Sequence, residues 1–290
     1  MRILLTGGTG LLGGRLLPLL KGHDVVCLTR QAGNSNPASS VRYLIGDLGQ
    51  PDAWREEVGR FAPHWCIHLA WQGLPDYSLS QCRVNLDASL RLIEGLVAAK
   101  VERIVVAGSC WEYGEARGAV AENLKGVGCG VFAATKLALL SVLESVAQTT
   151  PLKYRWARLF FCYGPGQRAQ SLIPHCHAAF AADRLPEIRS PNSAHDFVHV
   201  DDVARALLAI AEHEGQSGVF NVGTGKPTTV GGLANRVAAH FGRPALFSSP
   251  TPDTGFWADT TRTAKVTGWR SEISLQDGLD QTLADLDTLR

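Results

Sequence analysis

MRILLTGGTGLLGG (Met1–Gly14) opens on an apolar run, turns on glycine and continues into leucines that favour helix. RILLTG reads as a buried strand. Gly7, Gly10 and Gly13 then set a G-x-x-G-x-x-G spacing at the start of the helix. Glycine at such positions lets the chain turn tightly off the strand. It also brings backbone N–H groups close to a pyrophosphate, with the helix N-terminus facing the anion. A glycine-rich turn alone is a weak signal, since many strands join helices this way. Its weight comes from the chain that follows.

Short apolar runs rich in Val, Ile and aromatics follow: DVVCLT, VRYLIG, WCIHLA, RIVVAGS and YRWARLF. Between them lie helix-length patterns, LLGGRLLPLLK, DAWREEVGRF, CRVNLDASLRLIEGLVAAK and FAATKLALLSVLESVAQ. This alternation predicts an α/β protein with a doubly wound parallel sheet covered on both faces. After YGPGQ the pattern loosens. Pro, Ser, Asn and Gly gather over 163–196 and 242–256, which marks a small C-terminal substrate lobe. The expected division is a dinucleotide-binding domain over 1–164, to which 195–224 returns, and a substrate-binding lobe from 165–194 and 225–290.

The bulk composition narrows the function classes. With 290 residues and 45% hydrophobic, the chain can bury one large core or two joined ones. A formal charge of +1 and no Lys/Arg run give no basis for nucleic-acid or anionic-membrane binding. Cys27, Cys66, Cys82, Cys110, Cys129, Cys162 and Cys176 are odd in number, without a C-x-x-C pair. Most lie in apolar runs and read as buried free thiols. The start runs straight into the strand without a signal-peptide pattern, so a cytoplasmic location is expected. Apolar stretches are broken by Gly, Arg or Pro before 18 residues, so no membrane span is expected.

The second strand ends in HDVVCLTRQAG, placing Thr29 and Arg30 where an acid would bond an adenosine ribose 2′-hydroxyl. An arginine suits a 2′-phosphate, so NADP(H) is expected ahead of NAD. Asp47 and Leu48, after the third strand, are placed beside the adenine, although Asp is also common turn chemistry.

The sequence resembles the extended short-chain dehydrogenase/reductases, the NAD(P)-dependent epimerase/dehydratase family. TGGTGLLGG is similar to the family's TGxxGxxG, GDL to its adenine motif and HLAW to the segment after its fourth strand. VAGSCWEYG, YGPGQ, HDFVHVDDVARA, VFNVGTGKPTTV and ADTTRTAKVTGW resemble further motifs in the family's order. The resemblance implies a Rossmann-type fold. It also implies a cofactor site that includes Thr6, Leu11 and Leu12 around the glycines, Leu69, Ala70 and Trp71 after the fourth strand, and Lys136. Family chemistry is hydride transfer at a carbon bearing oxygen. A tyrosine serves as acid/base, a lysine lowers its pKa and holds the ribose, and a Ser/Thr polarises the oxygen. Ser109 matches the hydroxyl and Lys136 the lysine, while Phe132 stands at the tyrosine position. Phenylalanine has no proton to give, and losing a general acid costs about 10²–10⁴ in rate. Ser109, Lys136 through water, a substrate hydroxyl or Tyr77 could supply part of that role.

Other departures concern the substrate. Cys110-Trp111 stands where 4,6-dehydratases carry Asp-Glu, which argues against dehydration by that route. Phe161-Cys162-Tyr163 lacks the usual Asn, His195 replaces an Arg, and SSPTPDTGFWADTT lacks the usual Arg-Pro. These changes weaken a diphosphate site and favour a smaller or less charged substrate, with Arg158, Arg168, Arg184 and Arg189 as remaining anion contacts. The expected function is an NAD(P)-dependent reductase or epimerase acting on a keto-sugar, nucleotide-linked or not. The alternative is an inactive dinucleotide-binding regulator or partner subunit. Family members often dimerise through the helices after strands four and five, so a homodimer is expected.

Two segments imitate metal sites. In PHCHAAF, His175, Cys176 and His177 are neighbours that would point to different helix faces, so no metal is expected. In HDFVHVDD, Asp201 or Asp202 is expected to cap the helix VDDVARALLAIAEH. AGSCWEYG lacks a G-x-S-x-G elbow, with His64 and His68 on another strand, so a hydrolase triad is not expected. Trp54, Trp71 and Trp269 read as packing residues.

Overall fold

The computed structural model describes residues 1–31, 41–125, 130–248, 252 and 254–289. Cys129 lies outside them. Arg2–Thr6 forms β1 and shows why the apolar run is continuous. Ile3 and Leu5 join one core while Leu4 joins another, the period of two that a strand buried on both faces requires. The first half runs α1 (Leu11–Leu16), β2 (Asp24–Thr29), β3 (Val41–Ile45), α2 (Arg55–Phe61), β4 (Trp65–His68), α3 (Leu79–Ala98) and β5 (Arg103–Ser109). LLGGRLLPLLK is helical only to Leu16. A 3₁₀ turn over Leu17–Leu20 follows, because Pro18 cannot donate to a helical ladder.

The chain continues through β6 (Gly118–Val120), α4 (Gly130–Thr149), β7 (Lys153–Leu159), β8 (Phe161–Tyr163), α5 (Leu172–Ala181), β9 (Ser193–His199), α6 (Val200–Glu212) and β10 (Gly218–Val222). It closes with β11 (Pro227–Thr229), α7 (Val230–His240), β12 (Thr254–Ala258), α8 (Thr261–Thr267) and α9 (Leu275–Thr288). Seven strands make the main parallel sheet in the order β10-β7-β5-β4-β1-β2-β3. The winding direction reverses between β1 and β4, and the crevice at their C-terminal ends is where such sheets bind ligands.

A second sheet, β11-β9-β12-β6, with β8 paired to β9, sits against its own core of Ile173, Phe180, Phe197, Leu233, Val237 and Leu279. Within 195–224, β10 extends the main sheet and α6 packs on α1, while β9 belongs to the second sheet.

One expectation needs correction here. The N-cap of α6 is His199, whose Nδ1 accepts from Asp201 N at 3.3 Å. Asp202 is instead fully buried. Its carboxylate accepts from Glu272 N (3.0 Å), Ile273 N (2.9 Å) and Arg205, tying α6 to the segment before α9. By length and composition alone α4 is apolar enough to cross a membrane, a test that buried core helices also pass. Its Ala133, Lys136, Leu139, Leu140 and Leu143 are buried within this fold.

Asp202→Ala strands two backbone donors and Arg205. It is expected to cost about 3–5 kcal/mol, read as a lower urea midpoint, whereas the exposed Asp280→Ala stays near wild type.

Candidate active site

The glycine turn is built by close approach. Gly7 has φ +76°, and a Cβ there would lie 2.7 Å from Ala70 N and 2.8 Å from Leu69 C, so the end of β1 rests directly on the end of β4. Gly10 N donates to Gly7 O at 3.0 Å and opens α1. At Gly13 a Cβ would overlap Gly7 O and Gly8 Cα, which forces helix and turn together. Beneath them Thr6 Oγ1 lies 2.7 Å from His68 Nδ1, and His68 Nε2 lies 3.1 Å from Ser89 Oγ. Burial, then the charge of Lys136, lowers His68 to about 3, so the ring is a neutral link.

Above this floor runs a cleft. It collects Gly7 and Gly10 from the first turn, Thr29 from the end of β2 and Arg30 just past it, Asp47 and Leu48 past β3, and Leu69, Ala70 and Trp71 past β4. Thr6 and Gly13 are buried, and Leu11 and Leu12 are half-buried on the first turn of α1. Asp47 Oδ1 accepts from Gly49 N at 2.8 Å, so this carboxylate also holds its own turn. Arg30 Nη1 donates to Gln72 Oε1 at 2.6 Å across the cleft rim. Sequence reading missed Gln72, Asn85 and Ser89. Asn85 and Ser89 are four apart on one face of α3, a polar pair inside an apolar helix that could have flagged them. The exposed Gly10, opening α1 on the cleft floor without a side chain, fits the close approach of a dinucleotide's pyrophosphate.

Ser109 ends β5 and starts the 3₁₀ turn Cys110–Tyr113. Its Oγ accepts from Trp111 N at 3.2 Å, while Ser109 N donates to Glu112 Oε1 at 2.7 Å. This reciprocal capping box is legible as S-x-x-E in SCWE. Glu112 is fully buried and also accepts from Trp156 Nε1 (2.9 Å) and Arg158 Nε (2.8 Å). Burial raises the Glu112 carboxyl against the pull of Arg158. Arg158 is therefore a positioning residue beneath Ser109, and its expected role as a substrate-anion contact is corrected: the side chain is 4% exposed and already paired.

Lys136 projects from α4 to the same place. Its Nζ donates to Ala107 O at 2.8 Å, two residues before Ser109, and stands 3.9 Å over the Trp71 ring. Burial lowers its pKa to about 8, against the attraction of Glu112. Phe132, one turn earlier, packs edge-on to Trp71 (5.3 Å), Tyr77 (5.2 Å) and Trp111 (5.8 Å between ring centroids). Trp71 is thus a wall of the site as well as a packing residue, while Trp54 and Trp269 are buried in cores.

In the second sheet the Phe161 ring of β8 lies 4.1 Å from His195 of β9, and burial lowers the His195 pKa. Arg168, Arg184 and Arg189 are exposed, Arg189 beside Glu187 at 3.5 Å. His64 accepts from Arg2 N and His68 binds Thr6 and Ser89, so neither is bonded to Ser109. Asp196 accepts from Thr224 N, Thr224 Oγ1, Gly225 N and Ala258 N, joining β9 to the loop after β10. The six described cysteines are all free, five of them buried.

A doubly wound sheet with a glycine turn at its switch point, and a cleft that runs over that turn to Trp71, defines a nicotinamide-dinucleotide-binding protein of the Rossmann type. The chain belongs to the NAD-dependent epimerase/dehydratase family, whose model matches residues 3–223. The dTDP-L-rhamnose 4-epimerase of Burkholderia thailandensis is 26% identical over 97% of this chain and 93% of its own. A UDP-glucose 4-epimerase of Mycolicibacterium smegmatis is 28% identical over 98% and 97%. Among solved structures, MoeE5 in complex with UDP-glucuronic acid and NAD superposes with a TM-score of 0.85 at 28% identity, covering 100% of both chains.

The buried Lys136 also sets a pH dependence. Below about pH 8 the folded state must desolvate an ammonium; above 10.5 the amine is neutral folded and unfolded. Its penalty is therefore fully present below 8 and disappears between 8 and 10.5, where its contribution to stability rises with pH. Lys136→Met is expected to melt higher than wild type at pH 7, with the difference shrinking toward pH 10 in calorimetry.

Proposed function

We propose that this protein is an NADP(H)-dependent reductase or epimerase that passes hydride to or from a sugar carbon bearing oxygen. The observation that carries this reading is the place of Lys136, whose Nζ lies over the Trp71 ring of the cleft wall and donates to Ala107 O, two residues before Ser109. The nicotinamide, when bound, supplies the hydride donor or acceptor. Ser109 would donate from its hydroxyl to the substrate oxygen as negative charge develops there. Lys136, close to neutral pH in its titration, would hold the ribose and hand on a proton.

Phe132 takes no part in that transfer. Tyr77, whose ring packs on both Phe132 and Trp111, is the best-supported source of the missing hydroxyl among the described residues. Water or a substrate hydroxyl would serve in its absence. The relatives named above act on or bind nucleotide-linked sugars. Here Phe161 and His195 form an apolar stack on the substrate side, which supports a keto-sugar with less charge than a nucleotide diphosphate. Residues from 165–194 and 225–290 would form most of that lobe.

The second reading is a dinucleotide-responsive regulator or partner subunit. It is favoured by the aromatic box that closes around Phe132. NADPH oxidation over a panel of keto-sugars, with and without a nucleotide, separates the two. Turnover above the protein-free rate that falls about 10²–10⁴-fold in Tyr77→Phe supports the enzyme. Tight NADPH binding without turnover, gained in Phe132→Tyr, supports the regulator.

Arg30, which follows the end of β2 where no carboxylate stands, supports NADP(H) over NAD. Arg30→Ala is expected to weaken NADPH binding about tenfold to a hundredfold and leave NADH unchanged, measured by fluorescence titration. A homodimer through α3 and α4 accounts for exposed Leu79, Val84, Val131 and Val142 on their outer faces. Sedimentation showing only monomer would remove it.

A further inference from the structure

His177 on α5, His240 at the end of α7 and Asp287 on α9 are distant in sequence and come together in the C-terminal lobe. His177 Nε2 lies 2.8 Å from Asp287 Oδ1, and His240 Nε2 lies 3.0 Å from Asp287 Oδ2. One ligand atom from each residue falls within 4.8 Å of the other two. His177 is 4% exposed, while His240 and Asp287 face the surface. His175 and Cys176, its neighbours in PHCHAAF, do not join the cluster: His175 is exposed, and Cys176 packs in the lobe core with Ile173 and Phe180.

We propose that His177, His240 and Asp287 form a binding site for a divalent transition-metal ion of the zinc class. Two imidazole nitrogens and one carboxylate oxygen are a donor set that suits zinc and disfavours Mg²⁺ and Ca²⁺, which take oxygen ligands. Three protein ligands leave a fourth position for water, on the side where His240 and Asp287 meet solvent. Zinc bonds of about 2.0–2.2 Å place ligand atoms roughly 3.3 Å apart in a tetrahedron. The cluster need contract by only about 1.5 Å at its widest, which rotation of the two partly exposed side chains can supply. On binding, each Nε2 exchanges its contact with the carboxylate for the metal, and any proton held there is released.

The position gives such an ion leverage. It would fasten α9 to α5 and α7. Two residues before Asp287, Asp285 Oδ2 accepts from Gly166 N at 3.0 Å in the YGPGQ turn. Arg15 Nη2, from α1, donates to Pro165 O at 3.1 Å in the same turn. The site thereby connects to the helix that follows the glycine cradle, and it stands whether or not the hydride-transfer reading holds.

The test uses the whole protein, stripped with chelator and titrated with ZnCl₂ by calorimetry, with bound metal counted by mass spectrometry after dialysis. One zinc per chain is expected for wild type and for His175→Gln. At least a tenfold loss of affinity is expected for His240→Gln and Asp287→Asn. Both altered positions are partly exposed, and a retained far-ultraviolet spectrum and thermal transition verify that each variant folds. Co²⁺ should give a visible ligand-field band without a thiolate charge-transfer band, and MgCl₂ should give no heat. No binding by wild type, binding kept in both variants, or a thiolate band placing the metal on cysteine would each overturn the site.

Discussion

The closeness of the first glycine turn to the end of β4 governs the active end of this molecule. Gly7 leaves no room for a Cβ beside Ala70, and Gly13 leaves none beside Gly7 itself. Helix α1 can therefore start directly off β1, with its first peptide groups facing the crevice where the sheet reverses direction. Thr6 and His68 bond the same two strand ends from below. A neutral His68 can sit there because burial and the nearby Lys136 charge both oppose its protonation.

The other fixed point is the Glu112 carboxylate. It is buried beneath Ser109 and accepts hydrogen bonds from Ser109 N, Trp156 and Arg158. Removing any one partner would leave a charge or donor uncompensated in a low-dielectric interior, which costs several kcal/mol. The network thereby holds the turn that presents the Ser109 hydroxyl. The same carboxylate opposes the fall in the Lys136 pKa, so one buried acid both positions one member of the site and tunes another.

The aromatic box explains how the site tolerates Phe132. Trp71, Tyr77 and Trp111 pack around it, and the Lys136 ammonium lies over the Trp71 face. A cation–π contact of this kind is worth about 0.5–2 kcal/mol and offsets part of the cost of burying the charge. In this arrangement the lysine is held without a phenol beside it.

Much of this was legible in the chain. Period-two apolar runs give strands buried on both faces, and the glycine spacing places the dinucleotide end of the sheet. Ser109, Lys136 and Phe132 are read as site residues from the family resemblance, and folding sets Lys136 and Phe132 together against Trp71. The sequence left other features undetermined, since they depend on contacts between segments far apart in the chain. Arg158 looked like a free anion contact until folding set it against Glu112. Asp202 looked like a helix cap and is a buried anchor, while His199 does the capping. PHCHAAF looked like an isolated cluster, yet its His177 meets partners from two other helices. Local spacing determines the geometry of turns and the faces of helices and strands. Only tertiary packing decides which charges are desolvated and which distant side chains meet, because those energies arise from the surroundings rather than from neighbours in sequence.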